Sequence, residues 1–162
     1  MSTGENDIAG VIARPPLIVL GTLIAAFALD YFFPQGHLAR TASSLRYLAS
    51  GIALLCAVLL LGGAAFEMRK AKTNIPTWEP TLALVTDGVY ARTRNPIYLA
   101  FIIFLIGTGM LFNSDWLFVM LVPFVLIIHY GVIRREERYL LARFGAPYAD
   151  YMKQVPRYLF GI

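Results

Sequence analysis

Thiols are almost absent from this chain: its single cysteine, Cys56, lies inside an apolar run with no partner. That excludes a disulfide scaffold and argues against a cysteine metal site, and nothing else in the chain implies a metal. No basic run is interleaved with aromatic residues, so the net charge of +4 does not point to nucleic acid. The first residues, Met1 to Asp7, lack the basic region and small-residue cleavage site of a signal peptide. The first apolar segment is therefore expected to stay as an anchor. Internal repeats and low-complexity tracts are missing as well.

Apolar surface is abundant. With 58% hydrophobic residues in 162 and a mean hydropathy of +0.63, the chain carries more than one soluble domain of that size can hide. Four stretches, Leu17 to Phe33, Tyr47 to Phe66, Ile97 to Phe112 and Trp116 to Ile133, have about the length a bilayer-spanning helix requires. They predict an all-α membrane protein with about four transmembrane helices. The third stretch is short, and the first ends in an interfacial aromatic cluster, Tyr31-Phe32-Phe33.

The distribution of Lys and Arg predicts the orientation. Arg69, Lys70, Lys72, Arg92 and Arg94 lie between the second and third spans, and Arg134, Arg135, Arg138, Arg143, Lys153 and Arg157 come after the fourth. The first connection has Arg40 and Arg46, and the link Asn113-Ser114-Asp115 has none. By the positive-inside rule, both termini and the central loop are expected on the cytoplasmic side.

The chain divides into two parts on this reading. Residues 1–66 hold a polar tail and a first hairpin, expected to act as scaffold or as one wall of a lipid-facing groove, with Gly51, Gly62 and Gly63 suited to close helix approach. Residues 67–162 hold a cytoplasmic loop, a second hairpin and a tail, expected to form the catalytic part. The loop from Glu67 to Asn95 is long for a compact protein, is punctuated by Pro76, Pro80 and Asp87-Gly88, and carries Trp78 in its middle. Pro123 predicts a kink in the fourth span. From Ile133 to Phe144 no breaker occurs until Gly145, so that helix is expected to project into the cytoplasm, with Pro147 opening a last short helix.

Hairpin geometry brings two charged clusters together. Arg94 and Arg134 each lie about twenty residues from Ser114, on opposite arms of the hairpin, so equal helical rise puts them at similar depth. Glu136 and Glu137 then fall within roughly a turn of Arg92 and Arg94. Asn95-Pro96 reads as the N-cap and first residue of the third helix, which places amide donors beside Arg94. Such a site suits a carboxylate, and the nearby glutamates suit an ammonium or ribose hydroxyls. Tyr90, Tyr98, Tyr130 and Tyr139 add faces that attract cations. S-adenosylmethionine, at once amino acid, nucleoside and sulfonium, needs all three features.

The run Leu84-Val85-Thr86-Asp87-Gly88-Val89-Tyr90-Ala91-Arg92-Thr93-Arg94-Asn95-Pro96-Ile97-Tyr98-Leu99 resembles the cofactor motif of the isoprenylcysteine carboxyl methyltransferase and phospholipid methyltransferase superfamily. Glu136-Glu137-Arg138-Tyr139-Leu140, Phe144-Gly145, Tyr148, Tyr151 and Val155-Pro156-Arg157 resemble its C-terminal signature. The resemblance implies S-adenosylmethionine held between the last two spans and the tail, and a lipophilic acceptor arriving from the bilayer. On it, Arg94, Asn95, Pro96 and Tyr98 fall on the cofactor motif and Glu136 and Glu137 on its paired glutamates, and Tyr90, close to these groups, joins them as a candidate for cofactor binding. Arg157 and Arg134 are left to steer an anionic substrate group. Many members carry histidine where this chain has Asn95, which cannot titrate and so serves by hydrogen bonding or capping. The acceptor stays open among a prenylcysteine carboxylate, a phospholipid amine and a small hydrophobic thiol. A membrane reductase of the sterol type, using NADPH, and a four-helix scaffold are the competing readings.

Overall fold

The computed structural model describes residues 8–34, 43–74 and 79–159, and Trp78, Pro76 and Arg40 lie outside them. The described residues are helical, with no strand among them. The helices are α1 (Pro15–Phe32), α2 (Ser43–Lys70), α3 (Pro96–Phe112), α4 (Asp115–Leu126), α5 (Arg134–Phe144) and α6 (Ala146–Gln154). Ile127–Ile133 forms π-helical turns that join α4 to α5 without a break, so the three make one rod from Asp115 to Phe144.

Three helices are long and apolar enough to cross a bilayer: α1, α2 and this rod. With 17 residues, α3 is shorter. At 1.5 Å per residue it reaches roughly 26 Å, a little under the ~30 Å hydrocarbon layer. Leu45, Leu48, Ile52, Leu55 and Leu59 leave the outer face of α2 apolar and exposed, as lipid contact requires.

α2 lies along α3, α1 lies along α4, and a tight turn makes α3 and α4 neighbours. That turn has a clear local cause. Asn113 takes the left-handed conformation that ends α3, and the Ser114 hydroxyl accepts the Leu117 amide at 3.1 Å to begin α4. Val19 and Ala26 of α1, Leu105 of α3, and Leu117, Phe124 and Ile128 of the rod close the core.

The close approach of α2 and α3 is made by Gly107, whereas Gly51 and Gly62 face open space and Gly63 meets Val89 of the loop. A Cβ on Gly107 would lie 3.0–3.2 Å from Leu54 and Ala53, and the Gly107 carbonyl accepts the buried Ser50 hydroxyl at 2.8 Å. Gly107→Val is expected to destabilise the protein by about 1–3 kcal/mol through overpacking, read as a lowered melting temperature in detergent.

The rod stays helical through Pro123, and its wider turns begin at Ile127. They alter which residues share a face. On a straight α-helix, Tyr130 and Glu137, seven residues apart, would lie nearly in line. Here Tyr130 is exposed and Glu137 is buried, because π-helical turns hold more residues each and rotate the next stretch of helix about its axis. Near its end, α5 stops at Gly145, whose φ of +58° suits glycine.

Candidate active site

The loop before α3 is fastened from three sides. Thr73 Oγ1 accepts the Leu82 and Ala83 amides at 2.8 and 3.2 Å, and the Thr81 amide donates to the Tyr139 hydroxyl at 3.1 Å. The Tyr151 hydroxyl of α6 donates to the Tyr90 carbonyl at 2.7 Å. A 3₁₀ turn, Gly88–Ala91, then delivers Thr93, Arg94 and Asn95 to the mouth of α3.

There the C-terminal tail is sewn to the loop. The Arg94 amide donates to the Pro156 carbonyl at 3.0 Å, while the Thr93 hydroxyl and the Asn95 side-chain amide both donate to the Arg157 carbonyl, at 3.0 and 3.1 Å. Asn95 holds the N-cap position but makes no side-chain cap bond. The expected cap is therefore a crosslink between chain segments instead. Pro96 stands next, at the start of α3, where its missing N–H costs nothing.

A cavity of about 360 Å³ opens beside this junction. Tyr90, Arg94, Asn95, Pro96, Tyr98, Glu136 and Glu137 all line it. The structure thus gathers into one place every residue that the sequence assigned to the cofactor. Apolar side chains, among them Leu61, Ala65, Met68, Leu84, Val85 and Leu140, complete the wall. Leu61, Ala65, Pro15 and Pro16 come from the first two helices, so that hairpin contributes a wall of the cavity.

The two glutamates have different surroundings. Glu137 is held by arginines: Arg157 Nε donates to Oε1 at 2.9 Å, Arg157 Nη2 to Oε2 at 2.6 Å, and Arg94 Nη1 lies 3.0 Å from Oε1. Glu136 accepts the Tyr98 hydroxyl on Oε2 at 2.7 Å and faces the cavity. Its closest charged influence is its neighbour Glu137.

Arg94 is 8% exposed at the side chain, and its Nε and Nη1 make no hydrogen bond among the described residues. An arginine that deep, with donors unspent, is a strong attractor for an anion. The Tyr148 phenol stands beside it. Burial, then the charge of Glu137, pushes the Tyr148 hydroxyl well above the usual phenol range. Burial raises Tyr151 and Tyr90 too, so all three remain neutral donors in the physiological range.

Arg157 and Arg134 do not take the places expected of them. The Arg157 guanidinium is spent on Glu137, whose hydrogen bond raises it further above its ordinary range. It lines a second, polar cavity with Arg94, Lys153 and Gln154. Arg134 is exposed, with its guanidinium 5.7 Å from the Tyr130 ring centre, and is not among the residues around the main cavity. Tyr130, within the π-helical segment, is exposed as well. His129 packs as a hydrogen-bonded residue, with Nδ1 2.8 Å from the Tyr158 hydroxyl.

Thr93, Tyr148 and Tyr151 fall within the motifs that carry the resemblance, but no chemical feature of the sequence gives them a role at this cavity. Their roles depend on contacts across about sixty residues, and periodicity carries no signal for that.

Fold and cavity together define a helical membrane protein with a charged cavity at one end of an apolar bundle. The chain belongs to the phospholipid methyltransferase family, whose model matches residues 45–147. It is 34% identical over 117 residues to a protein-S-isoprenylcysteine O-methyltransferase of Schizosaccharomyces pombe, covering 70% of this chain and 47% of that one. A protein-S-isoprenylcysteine O-methyltransferase of Saccharomyces cerevisiae is 36% identical over 72 residues, 44% of this chain and 30% of its own length. Protein-S-isoprenylcysteine O-methyltransferase B of Arabidopsis thaliana is 33% identical over 76 residues, 45% of this chain and 37% of its own. The chain thus spans about half or less of the length of these curated relatives.

Proposed function

We propose that the protein transfers a methyl group from S-adenosylmethionine to a lipophilic acceptor. The observation that carries this reading is the buried Arg94, with unspent donors, in the same cavity as Glu136 and a wall of apolar side chains. Arg94 suits the carboxylate of an amino acid, and Glu136 suits an ammonium or hydroxyls. The volume lies in the usual range for a small-molecule pocket.

S-adenosylmethionine, when bound, supplies a methyl group already activated on sulfur. The chain's own residues then have three tasks: to anchor the polar ends, to align the acceptor and to exclude water. Arg94 and Glu136 serve the first. Leu84, Val85, Leu140 and the walls from α1 and α2 serve the others, since an apolar lining desolvates the reacting groups and accepts a lipid chain. The names of the relatives make a prenylcysteine carboxylate the first acceptor to test, ahead of a phospholipid amine or a hydrophobic thiol.

Calorimetric titration of the purified protein with S-adenosylmethionine, with NADPH as control, tests the donor. Methyl transfer to a panel of lipophilic acids, amines and thiols tests the acceptor. Binding of NADPH alone overturns the reading. The arginine bias further supports α3 crossing as a fourth span and both termini on the cytoplasmic side. Reporter fusions at the two ends are expected to read cytoplasmic, and an opposite signal at either end removes the four-span arrangement.

A further inference from the structure

We infer that Arg157 is a positioning residue that saturates Glu137 and so keeps Arg94 available to the ligand's anionic group. This rests on the proposed S-adenosylmethionine site.

Glu137 is buried in the cavity wall, and a buried carboxylate binds whatever cation is nearest. With Arg94 alone beside it, the two would form a closed pair, and Arg94 would have little left for a ligand. Arg157 changes that competition. Its guanidinium meets both Glu137 oxygens at 2.9 and 2.6 Å, the bidentate form that arginine makes best. Arg94 keeps one 3.0 Å ion-pair contact with Glu137 and the Tyr148 phenol beside it, and its Nε makes no hydrogen bond among the described residues.

Arg157 itself is fixed through its main chain. Its carbonyl accepts from Thr93 and Asn95, the residues on either side of Arg94. One residue of the tail therefore sets both the backbone around Arg94 and the charge that Arg94 faces. Glu137 is accordingly an internal counterion, and Glu136 is the glutamate that meets the ligand.

The test is a double-mutant cycle on the full chain in detergent, read as the dissociation constant of S-adenosylmethionine. Arg157→Gln keeps the main-chain carbonyl and is expected to weaken binding by about tenfold or more, because Glu137 then captures Arg94. Glu137→Gln alone is expected to weaken binding clearly less than Arg157→Gln does, since it removes the group that competes for Arg94. The double variant is expected to recover to that same level. A merely structural role for Arg157 gives no recovery in the double variant, and that result overturns the inference.

A tenfold or larger loss in Glu137→Gln, in a variant that melts like wild type, also overturns it by making Glu137 a ligand group. This arm remains decisive even where Arg157→Gln fails to fold. Absence of binding to the wild-type protein is a different result, and it removes the proposed donor instead.

Discussion

Arg94→Ala is expected to weaken S-adenosylmethionine binding by about 1.5–3 kcal/mol, roughly ten- to a hundredfold or somewhat more, the scale of a hydrogen bond to a charged group. Two effects bear on that variant. The ligand's anionic end loses the Arg94 guanidinium, whose Nε makes no hydrogen bond among the described residues. The variant's helix α3 still presents its first amides, but a half-charge at a helix end does not replace a full guanidinium. Arg94→Lys is expected to recover only part of the loss, since a point charge cannot reproduce the planar fork. The measurement is calorimetric or fluorescence titration of protein shown to melt normally. An unchanged dissociation constant in Arg94→Ala makes the residue a topological anchor and displaces the proposed anion site.

Glu136→Gln is expected to produce a loss of comparable size, about 2 kcal/mol in binding with a matching fall in kcat/KM. Glu136 faces the cavity, and the Tyr98 hydroxyl occupies only its Oε2 in the hydrogen bond at 2.7 Å. The substitution keeps size and removes charge, so it tests electrostatics with packing held constant. Tyr98→Phe is expected to give a smaller decrease, about 0.5–1.5 kcal/mol, because it removes one orienting hydrogen bond and leaves the carboxylate in place. Wild-type affinity and rate in Glu136→Gln, with Glu137→Gln strongly impaired, exchanges the roles assigned to the two glutamates. Similar modest losses in both variants leave the pair as a charged surface of the cavity with no dedicated ligand contact.

The contrast between these neighbours shows where reading along the chain stops. On a regular helix, Glu137 shares a face with Tyr130 and Arg134. The π-helical turns at Ile127–Ile133 intervene between Tyr130 and Glu137, leaving Tyr130 outward while Glu137 turns in. No residue type announces such turns in advance. They go with an exchange of hydrogen bonds, in which the Gly131 carbonyl accepts the Ile12 amide at 3.2 Å from a segment far away in the chain. Gly107 makes the same point in packing. Gly51 and Gly62 satisfy the same compositional rule for close helix approach, yet only the pairing of α2 with α3 decides that Gly107 lies in the seam.

The sequence by itself determined the class of the molecule and most of the members of its site. Hydropathy is a sum over local residues, so the apolar helices, and hence a membrane protein, come from composition and length alone. Arg94 and the two glutamates could be paired because Asn113 to Asp115 make a tight hairpin, and equal rise along two antiparallel helices is arithmetic. Only the tertiary contacts show how these groups are partnered: that Asn95 joins the tail instead of capping α3, that Arg157 serves Glu137, and that Arg94 Nε makes no hydrogen bond among the described residues. These outcomes depend on which of several charged groups reaches which partner at 3 Å, a competition settled by the packing of segments twenty to sixty residues apart and invisible to any local pattern.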